Sequence, residues 1–356
     1  MVFAGQPRIG SRGMITWIWD LLRTTMFTAR FWALLLVWAA ALTLSDTSAG
    51  ATLLHGAGST MSANYVDASR STYEAKHGVR VTYDAVGSGE GIRRVATGRV
   101  DFALTDIPLT EFELEQLRLS QVPLFYCGVV VVVNLPGVRD GELRLTDRAV
   151  SAIFAGEITR WRDPEVMRAN DGVNVPDLPI LVVHRSDTSG TSFIFTSFLS
   201  GASQMWADRF GLGSRLSWPS GQAAAEGSAG VRDAVSSHTG AIGYLEYGNA
   251  LKWGLATVQL ASGKGDFVRA SLESFRLALT ARPAVRASHY QLLTRSLVSG
   301  AWPILATEYG LIERKGHDQH TAEPVTRFLE FLVSSPTMAD FQFVPYSVRA
   351  AGDHLE

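Results

Sequence analysis

The feature that most constrains the fold is a regular alternation of short apolar runs with helical segments, which begins at Ala51. Residues 79–83, 179–184 and 240–247 are rich in β-branched and other apolar side chains, as strands are. A helix predicted over residues 61–77 ends at Gly78, a residue type that favours the helix C-terminus. Strands that alternate with helices form mainly parallel sheets covered by helices, so the sequence predicts the α/β class.

The chain is long enough for two such units. It has 356 residues, of which 46% are hydrophobic, and a chain of this size is more often two domains than one. The apolar run at residues 129–133 passes into a turn at residues 134–137, where we place the first crossing between domains. We expect lobe 1 to comprise residues 51–133 and 252–356, and lobe 2 to comprise residues 134–251. Two crossings would make a hinge.

The N-terminus has the layout of an export signal. Arg23 and Arg30 precede a 14-residue apolar run at residues 31–44, and a small polar segment follows. This predicts a signal at residues 1–49 that is cut near Ala49. The alternative is an uncleaved membrane anchor, but a spanning helix needs roughly 20 apolar residues. Because the single cysteine, Cys127, lies far from the apolar run, lipid anchoring through a thiol is not expected, and we predict a soluble periplasmic protein.

Charge and metal ligands argue against two classes of function. The net charge is −2, and the predicted mature chain keeps 28 basic and 32 acidic residues, a net charge of −4. Nonspecific nucleic-acid binding needs a basic face, which this balance does not favour. His317 and His320 are three residues apart but have no cysteine nearby, which favours a solvated loop over a metal site. We predict no nucleic-acid partner, no metal and no cofactor.

Three predicted turns share one layout, in which a strand is followed by a run of Gly, Ser and Thr and then by a helix. They lie at residues 56–61, 87–91 and 186–191. Ligands of α/β proteins sit beyond the carboxyl ends of strands, where such turns expose backbone N–H groups at helix N-termini. That geometry favours an anion. Taken singly, each turn is equally consistent with an ordinary turn or N-cap.

Two charged residues follow predicted strands at the level of these turns. The guanidinium of Arg185 is a planar fork that suits a tetrahedral oxyanion and could balance its charge. Asp187 either holds that guanidinium in place or caps the helix that follows. Asp106 is either a turn residue or an acceptor for a proton carried by the ligand. A protonated phosphate can donate to a carboxylate whereas sulfate cannot, so Asp106 would favour phosphate.

These residues resemble those of the phosphate-binding subunits of bacterial ABC-type phosphate importers. The resemblance is close over residues 52–247 and continues more loosely to the C-terminus. It rests on motifs in the family's order: GAGST at 56–60, GSG at 87–89, VDFALTDIPL at 100–109, IFAGEITRW at 153–161, RSDTSGTSF at 185–193, GAIGYLEY at 240–247 and AWPI at 301–304. It implies a type II periplasmic-binding fold in which two lobes clamp the ligand, and a permease in the cytoplasmic membrane as partner.

The resemblance also implies a set of ligand contacts. Carried over position by position, they come from Thr60, the backbone N–H of Met61, Ser88, Asp106 as proton acceptor, Arg185 as counter-charge, and Ser189, Gly190 and Thr191 as donors. Two positions depart from the family pattern. Met61 stands where an aromatic residue is frequent, and Glu90 stands where a small residue is usual. We expect Glu90 to face solvent or cap its helix, because an inward carboxylate would repel the anion.

Two other function classes remain open at this stage. One is a receptor for another oxyanion, such as sulfate, molybdate or tungstate. The other is an exported phosphoester hydrolase with Ser189 as nucleophile, although the surrounding residues lack the Gly-x-Ser-x-Gly pattern. We favour a monomeric, non-enzymatic phosphate receptor that is open when empty and closed when loaded.

Overall fold

The computed structural model describes residues 52–282, 288–314 and 319–346. The predicted export signal at residues 1–49 lies outside the described residues, and so do His317 and the side chain of His320. Strands and helices alternate at the start of the described chain, in the order β1 Thr52–Gly58, α1 Ala63–His77, β2 Val79–Asp84, α2 Ser88–Ala96, β3 Phe102–Thr105, α3 Glu111–Leu117 and β4 Leu119–Val133.

The middle of the chain continues the alternation. Its elements are β5 Arg144–Leu145, α4 Asp147–Phe154, α5 Pro164–Met167, β6 Leu181–Arg185, α6 Gly190–Ala202, α7 Gln204–Arg209, β7 Ala223–Ala225, α8 Gly227–Ser237, β8 Ala241–Glu246 and α9 Tyr247–Lys252. The last part adds β9 Ala256–Thr257, β10 Gln259–Ala261, β11 Phe267–Val268, α10 Leu272–Leu279, β12 Leu293–Thr294, β13 Ile304–Glu313, α11 Gln319–Ser334, a 3₁₀ helix Pro336–Phe341 and β14 Val344–Pro345.

One strand runs through both halves of the molecule. Eleven strands of the described chain form a continuous sheet whose main order is β2-β1-β3-β13-β4-β8-β6-β7. Residues 119–128 of β4 pair with β13, whereas residues 129–133 pair with β8. We call β2, β1, β3, β13 and residues 119–128 the first half, and residues 129–133, β8, β6 and β7 the second half. β4 belongs to both halves and connects them.

The sheet mixes two strand directions. β1 and β3 are parallel, and so are β6, β7 and β8, as an α/β pattern predicts. β13 is antiparallel to both β3 and β4, and β4 is antiparallel to β8. The expectation of mainly parallel sheets therefore holds at the two ends of the sheet, while its centre is antiparallel.

Local sequence signals set several element boundaries. Gly78 ends α1 in the left-handed conformation, with φ of 67°, and its N–H donates to Glu74. Thr110 and Glu113 form a capping box at the start of α3. Ser189 caps α6 by accepting from the N–H of Ser192. That last cap places the first residues of α6 beside the ends of the strands.

Each half has helices packed over buried strands. The main core includes the fully buried Trp161, Trp206 and Trp302, and the indole of Trp302 donates to the carbonyl of Val129 at 2.9 Å. The single cysteine, Cys127, is buried in β4. Within the described ranges, no helix is both long and apolar enough to cross a bilayer.

Candidate anion-binding site

Polar residues of the predicted turns gather where strands of both halves end. Thr60 follows β1 and Asp106 follows β3 in the first half, and Arg185 is the last residue of β6 in the second. Ser88 begins α2, and Gly190 begins α6. Because the N–H groups at a helix N-terminus lack partners within the helix, this edge of the sheet presents donors from two directions.

Arg185 is the buried cation of this site. Its side chain is only 2% exposed, and it pairs with Asp187 through two hydrogen bonds, at 2.7 Å from Nε and 2.5 Å from Nη2. Nη2 also donates to the hydroxyl of Thr60 at 3.1 Å, a bond between the two halves. The N–H of Gly227, the first residue of α8, donates to Asp187 at 3.0 Å. Burial acts to raise the pKa of Asp187, but the bonds and charge of Arg185 outweigh it, so the pKa lies below its ordinary value.

The alternative role for Asp187, capping the next helix, is not the one observed. Ser189 supplies the N-cap of α6, and the Asp187 carboxylate is occupied by Arg185 and Gly227. This leaves the carboxylate to orient the guanidinium, as the sequence analysis proposed.

Asp106 is a buried carboxylate with hydroxyl partners in both halves. Ser88 donates to Oδ1 at 2.6 Å from the first half, and Thr191 donates to Oδ2 at 3.2 Å from the second. Burial raises the pKa of Asp106 above its ordinary value, against the hydrogen bonds from Ser88 and Thr191 and the charge of Arg185. Because the Asp106 carboxylate is buried, a further hydrogen can be donated to it only by a group that is itself buried next to it.

The two halves approach each other closely at this point. The N–H of Gly89 in α2 donates to the carbonyl of Thr188 at 2.9 Å. A Cβ on Gly89 would lie 2.2 Å from Cγ2 of Thr188, and a Cβ on Gly190 would lie 1.5 Å from Oδ1 of Asp106. Because Gly89 and Gly190 lack side chains, the N-termini of α2 and α6 can lie close together between the two halves. A larger residue at either position would clash.

The chain is similar to proteins of known family. A model of the PBP superfamily domain matches residues 45–336. The phosphate-binding protein PstS of Xylella fastidiosa (strain Temecula1) is 36% identical over 266 residues, which cover 74% of this chain and 73% of that protein. PstS of Haemophilus influenzae is 35% identical over 283 residues, covering 78% of this chain and 84% of its own. The chain belongs to the phosphate-binding protein family of the PBP superfamily.

The fold of this chain is similar to that of a solved phosphate-binding protein. The crystal structure of a phosphate-binding protein from Stenotrophomonas maltophilia superposes with a TM-score of 0.62 and covers 83% of this chain and 91% of that one. The two sequences are 20% identical in that comparison, so the likeness speaks for the fold alone. The two-lobe periplasmic-binding architecture expected from the sequence is confirmed.

The other residues that the family resemblance assigns to the ligand are buried beside this cluster. Met61 is 1% exposed and packs in the core, which fits a contribution from its backbone rather than its side chain. Ser189 is 1% exposed, and its hydroxyl accepts from Ser192 as the cap of α6. Accepting that bond leaves the hydroxyl hydrogen of Ser189 for a second partner. Their contact with a ligand stays a prediction.

Glu90 turns toward arginines of its own helix rather than toward the site residues. Its carboxylate pairs with Arg93 at 2.5 Å and with Arg94 at 2.9 Å, and its side chain is 30% exposed. The hydrogen bonds from Arg93 and Arg94 lower the pKa of Glu90 to about 2. The departure from the family pattern at this position is therefore matched by local partners of opposite charge.

Sequence reasoning missed a second set of polar residues behind the turns. Ser228 in α8 contacts Thr60 with 3.0 Å between the hydroxyl oxygens, and it also donates to Glu246 at the end of β8. Glu308 in β13 is fully buried and accepts from Ser62 at 2.6 Å. Residues 226–228 have the strand-turn-helix layout of the other loops, but the preceding strand is three alanines and carries little strand signal.

No group of three or more potential metal ligands occurs among the residues that the structure describes.

Proposed function

We propose that this protein is an extracytoplasmic receptor that binds inorganic phosphate and delivers it to an ABC-type permease in the cytoplasmic membrane. Its curated relatives are named phosphate-binding proteins. The observation that carries the proposal is the pair of bonds joining the two halves at one buried spot, from Arg185 to Thr60 and from Thr191 to Asp106. Helix N-termini, one guanidinium and one carboxylate meet there, which suits an oxyanion that still carries hydrogen.

Each predicted contact has a definite role in this proposal. Arg185, held by Asp187, balances the charge of the anion, and Asp106 accepts the hydrogen of the phosphate. The remaining predicted donors are Thr60, the N–H of Met61 and Ser88 in the first half, and Ser189, Gly190 and Thr191 in the second. Because neither set can satisfy the anion alone, the ligand favours the closed state over the open one. The protein needs no chemical step for this role.

We propose a hinge that separates two lobes near the predicted boundaries, 51–133 with 252–356 and 134–251. The strand pairing supports a crossing within β4, whose pairing changes from β13 to β8 after Gly128. Residues 256–261 pair with the end of β4 and with β5, which favours a return crossing later than residue 252. The receptor would act as a periplasmic monomer after removal of residues 1–49.

Titration of the purified mature protein with phosphate, arsenate and sulfate tests the function. We expect calorimetry to detect binding of phosphate and of arsenate, which has the same shape and protonation, and not of sulfate. Displacement of phosphate by equimolar sulfate would contradict the role of Asp106 and favour a general oxyanion receptor. Hydrolysis of a chromogenic phosphate ester that disappears in Ser189→Ala would overturn the receptor role in favour of a hydrolase.

Asp106→Asn should lower the preference for phosphate over sulfate by about tenfold or more, since a hydrogen bond to a charged group contributes about 1.5–3 kcal/mol. The amide removes the negative charge that would face an unprotonated oxyanion, so sulfate binding should improve while phosphate binding weakens. Competition calorimetry measures the ratio. The control is Asp67→Asn, whose side chain is 56% exposed on α1 and which should leave the ratio unchanged. An unaltered ratio in Asp106→Asn would remove Asp106 from the specificity of the site.

A further inference from the structure

Glu246 is a buried carboxyl group that the ligand contacts described above do not use. It is the last residue of β8 and is 0% exposed. The hydroxyl oxygen of Ser228 lies 3.0 Å from its Oε2, and the amide of Asn249 donates to its Oε1. Asn249 in turn accepts from Asn64 of α1 at 2.8 Å. The hydrogen-bond partners of both carboxyl oxygens are thus uncharged side chains.

A continuous chain of hydrogen bonds leads from Glu246 to the proposed ligand. Ser228 lies between Glu246 and Thr60, with 3.0 Å on each side. Thr60 also accepts from Nη2 of Arg185 at 3.1 Å. Thr60 is one of the predicted donors to the anion, so the hydrogens in this chain decide what its hydroxyl can do.

Counting hydrogens distinguishes two states of this chain of hydrogen bonds. An ionised Glu246 can only accept, so the one hydroxyl hydrogen of Ser228 is given to it. Arg185 can only donate, so the contact between Thr60 and Ser228 then uses the hydrogen of Thr60. In that state Thr60 has no hydrogen left for an anion and presents only lone pairs.

A neutral Glu246 reverses the direction of donation along the chain of hydrogen bonds. Its acid hydrogen is donated to Ser228, and Ser228 donates to Thr60. Thr60 then accepts from both Ser228 and Arg185, and its own hydrogen is free for an oxyanion. Asn249 donates to the carbonyl oxygen of Glu246 in either state.

We propose that Glu246 is a positioning residue that, as a neutral carboxylic acid, orients Ser228 and thereby turns the hydroxyl hydrogen of Thr60 toward the bound anion. This rests on the proposed function, because the anion is the phosphate named there. A neutral acid also adds no further negative charge next to an anion whose balancing cation, Arg185, is already paired with Asp187.

The surroundings of Glu246 favour its neutral form. Burial, the largest effect, raises the pKa of Glu246 above its ordinary value, against the bonds from Asn249 and Ser228 and the charge of Arg185. The titratable and charged groups that interact with it from neighbouring elements are Cys127 of β4, Arg185 of β6 and Glu308 of β13. Of these, Arg185 is the one that favours ionisation of Glu246, and it is already occupied by Asp187.

The test compares the wild-type protein with Glu246→Gln, Glu246→Ala and Ser228→Ala. A glutamine amide can accept from Asn249 and donate to Ser228, which is the hydrogen pattern of the acid. We expect Glu246→Gln to bind phosphate within about threefold of wild type at neutral pH, and Glu246→Ala and Ser228→Ala to bind about tenfold more weakly. If Glu246→Gln binds as weakly as Glu246→Ala, the ionised carboxylate is required and the proposal is wrong.

The pH dependence gives a readout that a merely structural role would not change. A raised pKa means that Glu246 is neutral below that pKa and ionises as the pH rises through it. The affinity of wild type relative to Glu246→Gln should therefore fall with rising pH, and the titration of phosphate itself cancels in this ratio. A ratio that is constant, or that rises with pH, contradicts the proposal.

Infrared difference spectroscopy on the ligand-free proteins separates this inference from the proposed function. Wild type should show the carbonyl band of a protonated Glu246 at neutral pH, and this contribution should be missing from the spectrum of Glu246→Gln, whereas any band from Glu308 should remain in both. If the two spectra do not differ in this band, Glu246 is ionised and the inference fails, whether or not phosphate binds. If wild type binds no phosphate, the proposed function fails, and the role given to Thr60 fails with it.

Discussion

Replacing Arg185 by alanine should weaken phosphate binding by a factor of about 30 or more. Truncating one member of a buried, hydrogen-bonded charge pair at a binding site costs about 2–5 kcal/mol, and each 1.4 kcal/mol is tenfold in affinity. The variant removes the one cation found among the predicted contacts and leaves Asp187 facing the anion with its charge uncompensated. Calorimetric titration with phosphate measures the loss.

The matched variants separate the loss of charge from damage to the fold. Arg185→Ala leaves Asp187 buried, with Gly227 as a remaining donor, so the double variant Arg185→Ala/Asp187→Asn should melt closer to wild type and still bind poorly. Arg160→Ala, at a residue whose side chain is 54% exposed, removes the same charge far from the proposed contacts and should bind normally. Near-normal affinity in Arg185→Ala would mean that the anion binds elsewhere.

The parts of the site that could be predicted are those set by local sequence. Gly78 ends α1 as expected, whereas the predicted turns at residues 56–61 and 87–91 are shorter in the structure, because residues 56–58 belong to β1 and residues 88–91 belong to α2. The helix predicted after residue 191 begins two residues earlier, at Gly190, because Ser189 caps it. Strand ends and caps depend on a few neighbouring residues, so Thr60, Ser88, Asp106 and Arg185 could be placed at one edge of a sheet without coordinates.

The parts that could not be predicted depend on contacts distant in sequence. β13 inserts between β3 and β4, although 171 residues separate Ile304 from Val133, and nothing in its own residues specifies that position. The chain of hydrogen bonds from Glu246 to Thr60 joins β8, α8 and the turn after β1. In the sequence, Glu246 is only one residue of the predicted strand at residues 240–247, because a buried carboxyl group cannot be recognised until its partners are known.

The buried charges of the site form a consistent set once these contacts are known. Asp187 holds the guanidinium of Arg185 in place, and burial raises the pKa values of both Asp106 and Glu246. Asp106 accepts the hydrogen of the anion as a carboxylate, and an ionised Glu246 beside it would add a repulsion that the neutral acid avoids. The hydroxyls of Ser88, Thr191 and Ser228 are uncharged hydrogen-bond partners of Asp106 and Glu246. These contacts therefore do not use the guanidinium of Arg185.

Gly190→Ala should prevent the two halves from closing and weaken phosphate binding about 5- to 150-fold, since overpacking costs about 1–3 kcal/mol. The added Cβ would lie 1.5 Å from Oδ1 of Asp106 and 2.7 Å from Oγ of Ser88, both in the opposite half. The methyl group acts only where the halves meet, so the ligand-free protein should melt at its normal temperature. Calorimetry and small-angle scattering, with and without phosphate, measure affinity and closure.

The control for this variant is Gly230→Ala in α8, where the nearest atom to an added Cβ is 3.4 Å away, in the backbone of Ala225. Alanine in a helix interior is about 0.5–1 kcal/mol more stable than glycine, so this variant should bind phosphate and contract normally. We expect scattering to show contraction on phosphate addition in wild type and Gly230→Ala but not in Gly190→Ala. Contraction of Gly190→Ala with normal affinity would mean that the contact between Gly190 and Asp106 is not part of the bound state, and that the anion is held by a different approach of the two halves.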